Sequence, residues 1–232
     1  MNILGVMGGM GPMATVDFLR KVVVNTEAAS DRDHIHTLTE SRCTIPDRTE
    51  FLTGSGESPL EDLVDTALQL ERMGAEVIVM PCNTAHYFYD EIKGNLKVEF
   101  LNMVEETAKT VMGRERVGLL ATRGTYHARL YEKAFKKYDI PVVQPSEEIK
   151  EVTNNLIYRV KGGRYKPEEH RGEVEEILAW FREKGIDTVI LGCSELPLVF
   201  NGTFKGDISL VDPTEILALA VIRIMGRKRR RP

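Results

Sequence analysis

The sequence predicts an α/β fold built from two related halves, and three observations carry that prediction. Short β-rich apolar runs alternate with longer amphipathic stretches. Several of the runs are apolar on consecutive residues, as in Val77-Ile78-Val79-Met80, so both faces must be covered. A parallel sheet flanked by helices does that. The chain also repeats its own pattern, at offsets of 111 and 113 residues.

Taken in order, the candidate strands are Ile3–Met7, Ile35–Thr39, Glu76–Pro81, Val98–Asn102, Arg116–Ala121, Val142–Gln144, Thr188–Leu191 and Ile208–Val211. Helical patterns lie between them. In Pro59–Met73, Leu60, Leu63, Val64, Ala67, Leu68 and Leu70 recur at helical spacing, and Gly74 ends the helix. Val174–Lys184 behaves alike and ends at Gly185. The alternation points to doubly wound units, Rossmann-like or flavodoxin-like, with parallel sheets. The repeat aligns Gly74 to Cys82 with Gly185 to Cys193: a helix-ending glycine, an acidic residue, an apolar strand, then a cysteine eight positions after the glycine. Gly5-Val6-Met7-Gly8-Gly9-Met10-Gly11 likewise parallels Gly118-Leu119-Leu120-Ala121-Thr122-Arg123-Gly124. Two domains are therefore expected: residues 1–103 with 212–232, where a last helix from Pro213 to about Met225 packs back, and residues 104–211.

Composition narrows the function classes. The 232 residues are 42% hydrophobic and 28% charged, the balance of an ordinary globular protein. A net charge of −4 gives no basic field for nucleic acid. The one basic cluster, Arg227 to Arg231, is expected to be a solvated, frayed end. No apolar run approaches the ~20 residues that span a bilayer, and the opening residues do not read as a signal peptide. A cytoplasmic location is the expectation, and three cysteines fit free thiols in a reducing compartment.

Cys82 and Cys193 each follow the C-terminal end of a parallel strand, the edge at which ligand crevices form in open α/β sheets. Asn83-Thr84 and Ser194-Glu195 follow them and can open helices, whose N–H groups favour anions and lower a nearby thiol's pKa. If the halves face each other, the thiols meet across a cleft. A small buried hydrophobe is the alternative reading of either cysteine alone. Cys43 lacks such a setting.

Pro81-Cys82-Asn83-Thr84-Ala85-His86 and Gly192-Cys193-Ser194-Glu195 resemble the paired cysteine motifs of the aspartate/glutamate racemase family. Gly8-Gly9-Met10-Gly11-Pro12 and Ile45-Pro46-Asp47-Arg48-Thr49 resemble its aspartate racemase branch. The resemblance implies a cofactor-independent amino-acid racemase, most specifically for aspartate. One cysteine removes the Cα proton as thiolate and the other returns a proton from the opposite face. It gives Asn83 and Thr84 the substrate carboxylate, with Ser194 a further donor, and gives Arg48 with Lys166 the side-chain carboxylate. Lys161 and Arg164 lie near enough in sequence to compete with Lys166 for that role. Met10 and Thr125 are expected to line the pocket. Arg123 departs from the small hydroxyl residue common at its position. Glu195 stands where the cell-wall glutamate racemases carry a histidine, and either orients Cys193, joins proton traffic or favours a helix start. His86 tunes Cys82 or packs in the helix. A homodimer is implied by the resemblance alone.

No phosphate-binding loop, dinucleotide fingerprint, zinc spacing or Cys-x-x-Cys motif is present. Paired thiols make pyridoxal phosphate unnecessary. A glutamate or broad-specificity racemase, a non-catalytic carboxylate-binding protein and a thiol-redox protein remain the alternatives.

Overall fold

The computed structural model describes residues 3–200 and 207–230. The first half runs β1 (Ile3–Gly8), α1 (Pro12–Asn25), β2 (His36–Ser41), α2 (Arg48–Leu52), α3 (Leu60–Arg72), β3 (Val77–Val79), α4 (Tyr89–Asn95), β4 (Glu99–Phe100) and α5 (Met103–Thr110). The second runs β5 (Val117–Ala121), α6 (Arg123–Ala128), α7 (Leu130–Phe135), β6 (Val142–Val143), α8 (Glu147–Lys161), α9 (Arg171–Glu183), β7 (Thr188–Gly192), α10 (Leu196–Phe200), β8 (Ser209–Val211) and α11 (Pro213–Ile224). Each of the eight expected strands is present, most of them shorter than expected. The run Glu76–Pro81 keeps only Val77–Val79 in the ladder. Pro81 has no N–H to donate, and the Cys82 N–H turns back to the Met80 carbonyl at 2.8 Å.

The strands form two four-stranded parallel sheets of the same topology, β2-β1-β3-β4 and β6-β5-β7-β8. In each, successive crossovers leave the first strand in opposite directions. The resulting switch points lie between the C-terminal ends of β1 and β3 and of β5 and β7, where open α/β sheets bind ligands. Gly74 and Gly185 end α3 and α9 with φ of +100° and +65°, left-handed values that favour glycine.

Both faces of each sheet are buried, as the consecutive apolar residues require. Met7 and Ile78 pack with Leu63 and Leu70 of α3, while Leu4, Val6, Val77 and Val79 pack with Phe18 of α1 and Leu217 and Val221 of α11. In the second half Leu120, Val189 and Leu191 meet α8 and α9 through Leu156, Ile177 and Phe181. Val117, Leu119 and Ile190 meet Val104 and Ala108 of α5 and Phe135 of α7. The helices after β4 and β8 are thus exchanged, α5 covering the second sheet and α11 the first. Asp212 caps α11 and reaches the buried Lys21 of α1 at 2.5 Å. Lys21 also pairs with Asp17 at 2.5 Å, so no charge in this apolar seam is left alone.

The basic tail does not fray, contrary to expectation. Arg229 bridges Thr26 antiparallel, the Glu27 N–H donates to the Lys228 carbonyl at 2.8 Å, and the Arg230 N–H donates to the Asn25 carbonyl at 2.7 Å. The extended segment after α1 offers an open backbone edge, and the tail satisfies it. Arg231 lies outside the described residues.

His86 secures the loop that carries Cys82. Its Nε2 accepts the Met103 N–H at 3.1 Å, so the ring proton sits on Nδ1 and donates to the Cys82 carbonyl at 2.8 Å. Both ring nitrogens are spent on backbone, and the ring ties the loop after β3 to the start of α5. Burial pulls its pKa down to about 4. An unfolded histidine titrates near ~6.5, so between these values the unfolded chain binds the extra proton. The stability His86 contributes is therefore complete above pH ~6.5 and falls as pH drops toward 4, by about 3 kcal/mol in all. Urea unfolding from pH 7 to 5 is expected to show this slope in the natural chain and to lose it in His86→Gln. An unchanged slope would show that another group titrates there.

Candidate active site

The two switch points face each other, and between them lies a small, tightly closed cavity lined by both Cys82 and Cys193. Both thiols are free and buried. Cys82 follows β3 and opens a 3₁₀ turn at Thr84–Phe88, while Cys193 follows β7 and precedes α10. The sequence repeat is thus a structural one, and it delivers one thiol from each half to the same space. Cys43 is exposed and away from the cavity.

From the first half, Met10 and Arg48 also line the cavity. Asp47 starts α2 by accepting the Thr49 and Glu50 N–H groups, at 2.7 and 3.1 Å, which sets Arg48 at the first helical position. The Arg48 guanidinium is buried; its Nη1 donates to the Ile45 and Pro46 carbonyls at 3.2 and 2.9 Å. Its Nε has no partner. Asn83 is similarly half satisfied. The buried Tyr131 hydroxyl, whose ionisation burial opposes, donates to Asn83 Oδ1 at 2.5 Å. That fixes the amide with Nδ2 buried and unpartnered. A buried donor left unmade costs about 1–3 kcal/mol, so two beside one small cavity are a signature of a missing acceptor.

Thr84 crosses to the second half. Its hydroxyl lies 3.0 Å from that of Thr122 and 2.9 Å from that of Thr125. Thr122 lines the cavity, whereas Thr125 sits behind it. Its hydroxyl is engaged by Thr84 and Thr122, so Thr125 supports the wall where it was expected to be part of it. The halves approach closely here: a Cβ on Gly124 would stand 2.8 Å from the Thr49 Cα, and only glycine allows that contact. Arg123 points away and pairs with Glu151 at the surface.

In the second half, Cys193, Ser194, Glu195 and Lys161 line the cavity. The Cys193 Sγ–H donates to Glu195 Oε2 at 3.0 Å, and the Ser194 hydroxyl lies 3.4 Å from the same oxygen. Burial and the Glu195 carboxylate push the Cys193 thiol well above its ordinary pKa, against the opposing Lys161 charge. The Gly11 N–H of the opposite half donates to Glu195 Oε1 at 3.2 Å. Lys161 Nζ lies 3.7 Å from Asp47 Oδ2. Burial alone would lower the Lys161 pKa, but the negative charges beside it, the Glu195 and Asp47 carboxylates among them, outweigh it and hold the ammonium above the ordinary lysine range.

The structure does not bring Lys166 to the cavity, which corrects its expected placement. Lys166 lies beyond the Gly162-Gly163 turn that ends α8, exposed and paired with Glu169 at 2.6 Å. Lys161 takes the position at the cleft. It stands one helical turn after Ile157, so it continues the buried stripe Ile149, Thr153, Ile157 of α8, a periodicity visible in the sequence. Asp47, Thr49 and Thr122 are further lining residues that motif reading left out of the site. Thr122 carried a signal: it caps α6 by accepting the Thr125 N–H three residues on.

A larger, open groove runs between α5 and α11, but it holds neither thiol, and its Glu106 is paired with Lys109 and Arg223. Among the described residues no group of acidic, histidine or cysteine side chains is arranged to hold a metal ion, and no helix is long and apolar enough to cross a membrane.

Comparison with known proteins agrees with this geometry. The chain is similar to the structure of an aspartate racemase from Picrophilus torridus, with 31% identity and a TM-score of 0.88 over 99% of this chain and 96% of that one. It is 28% identical to the broad specificity amino-acid racemase RacX of Bacillus subtilis, over 95% of this chain and 96% of that protein. It is 29% identical to glutamate racemase 3 of Caldanaerobacter subterraneus, over 68% of this chain and 58% of that protein. The family model described as Asp/Glu/hydantoin racemase matches residues 7–221, so with two parallel-sheet halves around paired thiols the chain belongs to that racemase family.

Proposed function

We propose that this protein interconverts the enantiomers of aspartate without a cofactor, using Cys82 and Cys193 as proton-transfer groups on opposite faces of Cα. The observation that carries the reading is the meeting of two equivalent thiols in one cavity that also holds unpartnered donors on Arg48 and Asn83. Inversion at carbon passes through a planar, carbanion-like species, and two groups on opposite sides spare a single base from crossing the plane. A thiol has a pKa of ~8.5, far below that of an amino-acid Cα–H. The site must therefore stabilise charge developing on the α-carboxylate, where preorganised donors contribute several kcal/mol. Asn83, Thr84 and Ser194 are assigned to that carboxylate. Arg48 and Lys161, rather than Lys166, are assigned to the side-chain carboxylate. Both proton-transfer groups come from the chain, so the proposal calls on no cofactor. It includes a reducing cytoplasmic setting for the thiols and a homodimer, which a monomer mass in sedimentation would refute.

Proton NMR of L- and D-aspartate with the reduced protein in D₂O is expected to show loss of the α-proton signal, with the opposite enantiomer appearing on a chiral column. Exchange of glutamate or neutral amino acids alone would assign another substrate of the family. No exchange of any amino acid would leave a carboxylate-binding or thiol-redox protein. Cys82→Ala and Cys193→Ala are each expected to lower the racemisation rate by ~10²–10⁴-fold or more; full activity in either ends the two-base mechanism.

The substrate assignment has its own test. Lys161→Ala is expected to raise the aspartate KM by about 10- to 100-fold, the worth of a charged hydrogen bond, and Lys166→Ala to leave it unchanged. Equal effects would return Lys166 to consideration.

A further inference from the structure

The two thiols are equivalent in the repeat, but their surroundings are not. The residue two positions after each cysteine reaches across the cleft to the loop following the first strand of the opposite sheet. From Cys82 that residue is Thr84, whose hydroxyl joins Thr122 and Thr125. From Cys193 it is Glu195, whose Oε1 accepts the Gly11 N–H at 3.2 Å. Pseudo-symmetric crossings therefore carry different chemistry, a neutral hydroxyl on one side and a carboxylate on the other. The free oxygen of that carboxylate, Oε2, is the one that accepts the Cys193 Sγ–H at 3.0 Å. Among the described residues no carboxylate makes the equivalent contact with Cys82 Sγ.

We propose that Glu195 is a positioning residue that keeps the proton on Cys193 when the cleft is closed and so makes the two thiols inequivalent at rest, Cys193 as the acid and Cys82 as the base. This deepens, and rests on, the two-base reading above. A thiolate and a carboxylate 3.0 Å apart in a buried cavity repel strongly, and one shared proton relieves the repulsion. Glu195 is 2% exposed, so water does not screen it. The other titratable or charged groups facing Cys193 are Lys161 and Tyr158 of α8, Tyr126 of α6 and Tyr131 of α7, with Cys82, Asp47 and Arg48 across the cavity. Lys161 favours the thiolate, and burial together with Glu195 overrides it. The resting protein then accepts the enantiomer whose Cα–H faces Cys82. Turnover leaves the proton on Cys82 and the charge on Cys193, the form Glu195 disfavours, and the resting form returns when Cys193 takes a proton from water and Cys82 releases one to it.

Iodoacetamide labelling of the full chain across a pH series, with each cysteine peptide quantified by mass spectrometry, tests this without requiring turnover. In the natural chain Cys82 is expected to label at lower pH than Cys193. Glu195→Gln keeps the shape and an acceptor for Gly11 but removes the charge, and is expected to lower the Cys193 midpoint by about one pH unit or more while leaving Cys82 in place. Glu195→Asp keeps the charge and is expected to stay near the natural chain. A purely structural role predicts the reverse order, with Gln harmless and Asp disruptive, and that result would overturn the proposal, as would equal midpoints for the two thiols in the natural chain. Thiolate ultraviolet absorbance in a Cys43→Ser background reads the same ionisations where alkylation is slow. Unequal midpoints without racemisation would refute the proposed function alone; racemisation with equal midpoints would refute only the role of Glu195.

Discussion

A parallel strand can hand its following loop to only one edge of its sheet, and that constraint organises this molecule. β1 and β3, and likewise β5 and β7, end side by side at a switch point, so each sheet has one edge where loops diverge and leave a crevice. Two sheets of the same topology, set edge to edge, bring two such crevices together. The glycine loop, the Cys82 loop and their counterparts around Thr122 and Cys193 all arrive there because their strands do. The exchange of α5 and α11 holds the arrangement, since each half completes its core with a helix that follows the other half's last strand.

Closing the two edges on each other creates an electrostatic problem, and its solution defines the site. Two cations, Arg48 and Lys161, and two carboxylates, Asp47 and Glu195, line one small cavity with both thiols. Buried charges are tolerated when each is paired or hydrogen bonded. Asp47 meets the N–H groups that open α2 and faces Lys161; Glu195 meets Gly11 and Cys193. What stays unmatched is of one kind: the unpartnered atoms on Arg48 and Asn83 are donors. The cavity is therefore short of acceptors, which is the deficit that the proposed dicarboxylate substrate would fill.

The same residues link closure to chemistry. Thr84 and Glu195 are at once neighbours of the thiol loops and contacts between the halves. These crossings seal the cavity beside both thiols. The contacts that keep water out are thus made by the residues that follow the two thiols. In a low-dielectric site this strengthens every charge interaction at the moment it is used.

Much of this was legible in sequence. The consecutive apolar strands, the helix-ending Gly74 and Gly185 and the repeated path from glycine to cysteine specify a doubly wound fold in two halves, because burial and backbone conformation are local demands written residue by residue. The cysteine loops, with Asn83, were legible too, since each follows a strand end; Arg48 came from the family resemblance, because its spacing alone reads as a solvated loop arginine. Lys161 was misplaced to Lys166 because five residues of sequence hide a helix end: the stripe of α8 turns Lys161 toward the cleft, and the glycine turn after it carries Lys166 to solvent. The basic tail appeared free because its partner, the segment after α1, is remote in sequence and becomes adjacent only through the packing of α11. Sequence by itself determined the elements, the repeat and the identity of the two thiols. Tertiary structure alone decided which cation faces them, that Thr84 and Glu195 cross the cleft, and that only Cys193 meets a carboxylate, because those are distances between groups that the chain brings together only by closing one half upon the other.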